Sequence, residues 1–436
     1  MFERFTLKDF KCHEGVNHFD LPGITVVSGS NNSGKSSLLQ GMYLLSQTKY
    51  NFCPILSIDE ILGLGSFSDV IHVRASNNDT IELSVEFDQL FLIKQEDFSF
   101  LRVNLVFKNP YSFEFLSTYN LEDTPILSEI QIEFELENEV QEYEFKLIDQ
   151  ALGYIYGVSG SLDKGFCNFS GVVPDSIIYE DLSRENKVLP SILFDKIRFY
   201  LSLLNTNNIH YMRAFRVNEF NTASHLGYHD VGVSGEYTAE ILYKRWSQKV
   251  DFVDESGREL IFGALFNAWI KYMLGDNYQI RVNQLDKGKY KIMLKDQVAD
   301  FELELHQVGF GISQLLPVLT VILSSKQHDL LLIENPEVHL HPRLQALFVD
   351  LCIFALKSNR KVVVETHSEH IINRIRLKIK ESPELLDKIN VLFFENDNGI
   401  INYTDIEMTK EGKISYWPKG FFDQSYYDLI GLIKDE

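Results

Sequence analysis

The chain has 436 residues, 45% of them apolar and 13% aromatic, which argues for folded cores and against disorder. Its 41 basic and 62 acidic residues leave a net charge of −21, so the average surface repels nucleic acid and any such contact must use a local basic patch. Four cysteines (Cys12, Cys53, Cys167, Cys352) lie far apart without C-x-x-C or zinc spacing. The start Met1-Phe2-Glu3-Arg4 has no signal-peptide profile, and the apolar run Leu315–Leu323 is about half a membrane span. A reduced, cytoplasmic protein without a membrane segment is expected.

Residues 1–28 read as two strands, an alternating Phe5–Phe10 and a second one ending in Ile24-Thr25-Val26-Val27. Then comes Gly29-Ser30-Asn31-Asn32-Ser33-Gly34-Lys35-Ser36, which fits G-x-x-x-x-G-K-[ST], followed by a helix expected to end near Thr48. Glycines and small residues let the backbone curl so that successive N–H groups converge on phosphate oxygens, and the helix N-terminus adds its dipole. Lys35 would reach the β- and γ-phosphates, and the Ser36 hydroxyl would bind Mg²⁺. Thr80–Phe87 alternates as a half-buried strand should.

From about 90 to 175 the pattern is strand-rich, with Phe98–Phe107 and Ile130–Leu136 the clearest, and 190–205 turns helical. This block carries no chemical motif and reads as an insertion. Helices follow at Ala239–Trp246 and Phe262–Met273, and alternating strands over 277–305. Between 313 and 394 helices (313–325, 343–357, 368–380) alternate with strands (330–333, 361–365, 390–394), the rhythm of a largely parallel sheet covered by helices. There is no internal repeat or low-complexity tract.

A phosphate loop needs a strand that presents carboxylates. Leu330–Ile333 is apolar throughout, as a strand buried on both faces should be, and ends in Glu334-Asn335-Pro336-Glu337. Glu334 takes the metal-proximal position, through a water where Mg²⁺ keeps its hydration. Lys361–Ser368 ends a further strand in Glu365-Thr366-His367-Ser368, with His367 placed to hydrogen-bond a γ-phosphate or its attacking water. His339 and His341 lack a third nearby ligand and make poor evidence for a metal pair. Val308-Gly309-Phe310-Gly311-Ile312-Ser313 hands over to a helix at Ser313; it is either an N-cap or an anion site offering Ser313 and backbone N–H groups.

These four elements, in this order, resemble the head of ABC-type ATPases of the SMC, RecF and OLD kind. Closer still, they resemble bacterial AAA/ABC-like ATPases with an E-N-P-E-x-H-L-H-P strand end and an E-T-H-S switch, several of whose relatives are ATPase subunits of anti-phage defence systems. Ser415–Gln424 is similar to the tail of that subgroup. The resemblance covers roughly 1–90 and 206–436. It implies an α/β P-loop ATPase head with a mostly parallel core sheet, an antiparallel β part and an inserted β-rich plus helical block. The expected division is 1–90 (head lobe with the Walker A loop), 91–205 (insertion) and 206–436 (lobe with signature, Walker B and switch His).

By this resemblance Gly29, Ser30, Asn31, Asn32, Ser33, Gly34, Lys35, Ser36 and Ser37 hold ATP. Gly309, Gly311 and Ser313 occupy the signature position and contact the γ-phosphate held by a second subunit, giving an ATP-dependent homodimer. Ser36 and Glu334 are the Mg²⁺ residues, and Glu334, Asn335, Glu337 and His367 are catalytic. His339–Pro342 lies where the dimer-interface loop is found, and Gln47 is a weak Q-loop candidate. One departure stands out: the second Walker B acid is replaced by Asn335, which cannot accept a proton, and Glu337 is the nearest acid that could serve instead. The chain therefore reads as a slow ATP-driven switch that regulates a partner effector, a nuclease or toxin. The alternative is a RecF-like DNA-binding ATPase using Arg374, Arg376, Lys378 and Lys380, four residues that equally suit a solvated helix flank. Trp417, Phe421 and Phe422 suit either a docking surface or a hydrophobic cap on the head.

Overall fold

A computed structural model describes residues 2–50, 54–56, 58, 62–75, 80–89, 92, 98–113, 123–136, 139–148, 155–160, 165–179, 191–204, 208–217, 231–253, 256–286, 289–423, 428 and 430. Cys53 and Gln424, named above, lie outside them. The chain forms two compact units, residues 1–21, 36–209 and 397–401 in the first and 22–35, 210–396 and 402–436 in the second.

In the first unit the strands are β1 (Phe2–Phe10) and β2 (His13–Asp20), followed later in the chain by members of the same sheet. The strand β3 (Ile24–Gly29) belongs to the second unit. The first unit continues with β4 (Thr48–Tyr50), β5 (Pro54–Leu56), β6 (Thr80–Phe87), β7 (Phe100–Lys108), β8 (Ile126–Leu136), β9 (Glu139–Ile148), β10 (Ile155–Gly160), β11 (Gly165–Ser170) and β12 (Val173–Tyr179). Nine of these run in the order β12-β11-β10-β9-β8-β7-β6-β1-β2, with β4 and β5 attached at β8. The strands of 91–205 thus continue the sheet that β1, β2 and β6 begin.

The period-2 pattern sorts this sheet into rows. Leu7, Leu83, Leu105, Ile130, Phe145 and Val158 are successive cross-strand partners and all are buried. The next row is polar throughout: Thr6, Ser84, Asn104, Gln131, Glu144 and Ser159. Charged pairs support the polar face, among them Arg102 with Glu86 at 2.7 Å and with Glu133 at 2.7 Å. On the apolar side Tyr200, from the helix Ser191–Ser202, packs edge-on against Phe87.

The reading of residues 1–28 as two strands needs correction, because the structure has three. The missed turn is Lys11-Cys12, between the paired Phe10 and His13. It is made by Lys11 at φ 53 instead of by a glycine, asparagine or proline, so no turn residue announces it. The helix after the phosphate loop spans Lys35–Leu44 and stops short of Thr48.

The second unit is the α/β part. Its remaining strands are β13 (Ile209–Met212), β14 (Lys249–Val253), β15 (Glu259–Ile261), β16 (Tyr278–Asp286), β17 (Lys289–Asp296), β18 (Phe301–Glu304), β19 (Leu330–Glu334), β20 (Lys361–Glu365), β21 (Ile389–Asp397) and β22 (Ile400–Asp405). The main sheet has the order β13-β19-β20-β3-β21-β22, and β19, β20, β3 and β21 pair in parallel. β19 and β20 are buried at every position, as strands covered on both faces must be. The helices Phe262–Leu274, Phe310–Ser324, Pro342–Lys357 and Glu369–Glu381 supply Phe266, Leu319, Phe348 and Ile372 to one core with Leu331, Ile333, Val362 and Val364. This is the α/β P-loop ATPase architecture that the motif order implied. No described helix is long and apolar enough to cross a membrane.

Candidate nucleotide site

β3 lies between β20 and β21, so its carboxyl end opens the phosphate loop at the centre of the parallel sheet. Gly29 has φ 144, and a Cβ there would collide with the carbonyl oxygen of Phe394 on β21. Only glycine lets the chain leave the strand at that point. Asn32 and Gly34 also take positive φ, and the Asn396 amide donates to the Asn32 carbonyl at 2.9 Å. Ser33 Oγ donates to the Ser30 carbonyl at 2.8 Å, closing the loop on itself. Lys35 is buried; its Nζ donates to the same Ser30 carbonyl at 2.6 Å. Burial lowers the Lys35 pKa, and nearby Glu365 opposes that shift. Ser30 and Asn31 are on the exposed side of the loop. Ser36 and Ser37 belong to the first unit, where the Cys12 thiol donates to Ser37 Oγ at 3.7 Å.

The two neighbouring strand ends carry the acids. Glu334 ends β19 in register with Glu365 of β20, and Glu365 is in register with Val27 of β3. Glu334 is buried and its two carboxylate oxygens accept from the Tyr211 hydroxyl and, at 3.2 Å, from the Ala214 N–H. Burial raises its pKa against those bonds and against Arg213 and Arg216. Asn335 turns the chain at φ 40, its N–H donating to the Glu365 carbonyl at 2.8 Å, and its Oδ1 is enclosed without a hydrogen-bond partner among the described residues.

Glu337 accepts the His367 N–H at 2.6 Å on Oε1, while Oε2 is enclosed without a hydrogen-bond partner among the described residues. Burial raises its pKa too; the His367 N–H, the Thr366 hydroxyl and Arg216 counter it. His367 leaves part of its surface in solvent, yet burial of the rest, followed by the charge of Lys35, holds its imidazole below the ordinary range. Lys35, Glu334, Glu337 and His367 thus meet at one edge of the sheet.

The helix Phe310–Ser324 begins three residues earlier than the sequence suggests, with Gly309 in extended conformation as its N-cap. Ser313 lies inside the first turn and is 3% exposed, whereas Gly309 and Phe310 are exposed. A Cβ on Gly311 would stand 2.7 Å from the His339 carbonyl, so this helix start and the His339 loop are in close contact. His339 takes φ 62 beside the Phe310 ring, and His341 caps the helix Pro342–Lys357 by accepting the Arg343 N–H at 3.3 Å. Among the described residues no group of three or more His, Cys, Asp or Glu side chains could hold a metal ion. Gln47 is buried in the first unit, donating to Ser46 Oγ at 2.8 Å.

Of the four cationic residues on the helix Glu369–Glu381, three are engaged within the chain. Arg374 and Lys378 both pair with Asp350, at 2.6 and 3.6 Å, and Arg376 donates to the Gly412 carbonyl at 2.9 Å. Lys380 is exposed. In the tail, Phe421 is fully buried against Phe393, whereas Trp417 remains 40% exposed. Gly420, Phe422 and Asp423 line a small cavity together with Gly29 and His367.

Sequence reasoning passed over three groups. Glu365 stood in the E-T-H-S stretch and went unassigned; its strand-end position was the available signal. Tyr211 and Arg216 carried none, because their partners are about 120 residues away in the chain.

No curated protein matches the chain. Among solved structures it is similar to an SMC head bound to the C-winged helix domain of ScpA, at 13% identity over 94% of this chain and 98% of that one, with a TM-score of 0.49. It is also similar to the SMC head domain from Thermotoga maritima, at 11% identity over 93% and 99% of the two chains, with a TM-score of 0.43. A third is the Smc head with an extended coiled coil bound to the C-terminal domain of ScpA, derived from Pyrococcus furiosus, at 9% identity over 99% of each chain and a TM-score of 0.46. Residues 386–432 match a family described as a protein of unknown function (DUF3696). Residues 1–154 and 238–372, well over half of the sequence, match the AAA ATPase domain, and the chain belongs to that family.

Proposed function

We propose that this protein is an ATP-driven molecular switch, which binds ATP with Mg²⁺ at the Gly29–Ser37 loop, hydrolyses it slowly, dimerises around it and regulates a separate effector. The observation that carries this reading is the meeting of Lys35 with the acids Glu334, Glu365 and Glu337 at the carboxyl ends of β3, β20 and β19. The fit to a triphosphate rests on Lys35, whose ammonium is bound to a carbonyl of its own loop and could exchange it for a phosphate oxygen. By the resemblance of the loop and the strand end, Glu334 would help to hold Mg²⁺, which supplies charge neutralisation at the phosphates. Both Glu334 oxygens already accept hydrogen bonds, so its hold on the ion would run through water.

Glu337 is the acid suited to take a proton from water, since Asn335 cannot and Glu337 keeps an oxygen without a hydrogen-bond partner among the described residues. The neutral His367 would orient that water or the γ-phosphate. A second copy would present its Gly309–Gly311 turn, where Gly309 and Phe310 are exposed while Ser313 is buried. Regulation of a nuclease or toxin in anti-phage defence is supported by the resemblance of the E-N-P-E-x-H-L-H-P and E-T-H-S stretches to those of defence ATPases. The three-part division at 90 and 205 belongs to the same reading.

The test is phosphate release, ATP binding and solution mass, each with and without ATP. A doubling of mass on ATP addition, absent in Lys35→Ala, is expected. A chain that binds no ATP at millimolar concentration would refute the reading.

A further inference from the structure

Arg216 is the most unusual side chain near the strand ends. It is 1% exposed, and a guanidinium is seldom buried so far without a full set of partners. Nη2 donates to the carbonyl oxygen of Glu334 at 2.6 Å, while Nε and Nη1 are enclosed without hydrogen-bond partners among the described residues. Burial pushes its pKa down to about 10, and Glu337 and Glu334 oppose that shift. Its own carbonyl accepts from Gln314 Nε2 at 3.3 Å, and Gln314 is buried in the early part of the helix Phe310–Ser324. Arg216 therefore holds the end of β19 through its side chain and the glycine-led helix start through its backbone.

Hydrogen bonding alone does not explain such a residue. The N–H groups on Nε and Nη1 lack partners among the described residues, which is costly on a buried cation, while its charge offsets the burial of Glu334 and Glu337.

We propose that Arg216 is a positioning residue that locks the acidic turn Glu334–Glu337 to the start of the helix Phe310–Ser324, so that the two move as one body. This rests on the switch reading above. There the acidic turn serves the chain's own ATP and the helix start serves the ATP of a second copy, so Arg216 links one site to the other within a single chain.

The experiment uses the full chain and compares wild type with Arg216→Met, Arg216→Lys and Gln314→Leu. Affinity is read with a fluorescent ATP analogue, kcat from phosphate release, and folding from thermal melting. Arg216→Met is expected to lower kcat at least about tenfold while the ATP Kd stays within about twofold. Arg216→Lys should recover part of that loss, because an ammonium keeps the cation and one donor to the Glu334 carbonyl. Gln314→Leu should lower kcat about threefold or more with unchanged Kd. An unchanged kcat in Arg216→Met, or a Kd that weakens in proportion to the loss of kcat, would overturn the proposal. If Arg216→Met does not fold, wild-type kcat in both Arg216→Lys and Gln314→Leu overturns it equally. A wild-type chain that binds no nucleotide fails the switch reading itself, and this control separates the two failures.

Discussion

Glu334 and Glu365 are register partners at the carboxyl ends of adjacent parallel strands, and Glu365 is in turn level with Val27, two residues before the phosphate loop begins. The pairing sets two buried carboxylates beside the strand that leads to Lys35, whose ammonium is close enough to Glu365 for their charges to interact. A parallel sheet delivers this arrangement because all its strands end on one edge, and ligands of open α/β sheets bind there.

Replacement of Lys35 by Ala should abolish nucleotide binding, weakening affinity for ATP by about a hundredfold or more. The fold should persist, since the variant removes a buried ammonium that burial already disfavours. Fluorescent-analogue titration and thermal melting measure the two effects separately.

Glu337→Gln should reduce phosphate release by about a hundredfold or more and leave ATP-bound dimers trapped, whereas Asn335→Ala should change the rate by less than about fivefold. Single-turnover hydrolysis combined with light scattering distinguishes these outcomes. Unchanged phosphate release in Glu337→Gln would remove Glu337 as the water-activating group.

His367 gives a pH signature. Burial and Lys35 hold its folded pKa below the ordinary 6.5, so the folded chain resists a proton that the unfolded chain accepts. The stability it contributes is present above about pH 6.5 and is lost as pH falls through the depressed folded value. His367→Gln lacks this loss, so its melting temperature should fall less than that of wild type between pH 7.5 and 5.5. Identical slopes for both proteins would contradict the assignment.

Gly311→Ala places a Cβ 2.7 Å from the His339 carbonyl, a clash with backbone that side-chain rotation cannot relieve. The helix start and the His339 loop must then separate. ATP affinity should be preserved within about twofold, while ATP-dependent dimerisation, read from solution mass, should be lost.

Arg374→Ala should act on stability. Asp350 is largely buried and pairs with both Arg374 and Lys378, so removal of one partner should cost about 1–3 kcal/mol in urea unfolding. Lys380→Glu, at an exposed position, should be nearly neutral. Salt-dependent DNA binding lost in Lys380→Glu would instead favour the DNA-binding reading.

Local pattern determined much of this protein. The phosphate loop, the apolar strand ending in Glu334, the Glu365–His367 stretch and the βαβ rhythm of 313–394 are all readable from the chain, because each depends on neighbours within a few residues. The Lys11 turn was not, since it uses no turn residue, and neither was the Phe310 helix start, where an extended Gly309 makes the cap. Tertiary structure alone decided which groups face each other. Strand order put Glu365 between Glu334 and the loop strand. Folding carried Tyr211 to the carboxylate of Glu334 and Arg216 to its backbone carbonyl, about 120 residues away in the chain. Burial and pairing decided the rest: they enclosed Ser313, left Glu337 with an oxygen unpartnered among the described residues, and engaged three of the four cations that suit nucleic acid. Desolvation and long-range pairing depend on what surrounds a residue in space, and adjacent residues in the chain carry no record of it.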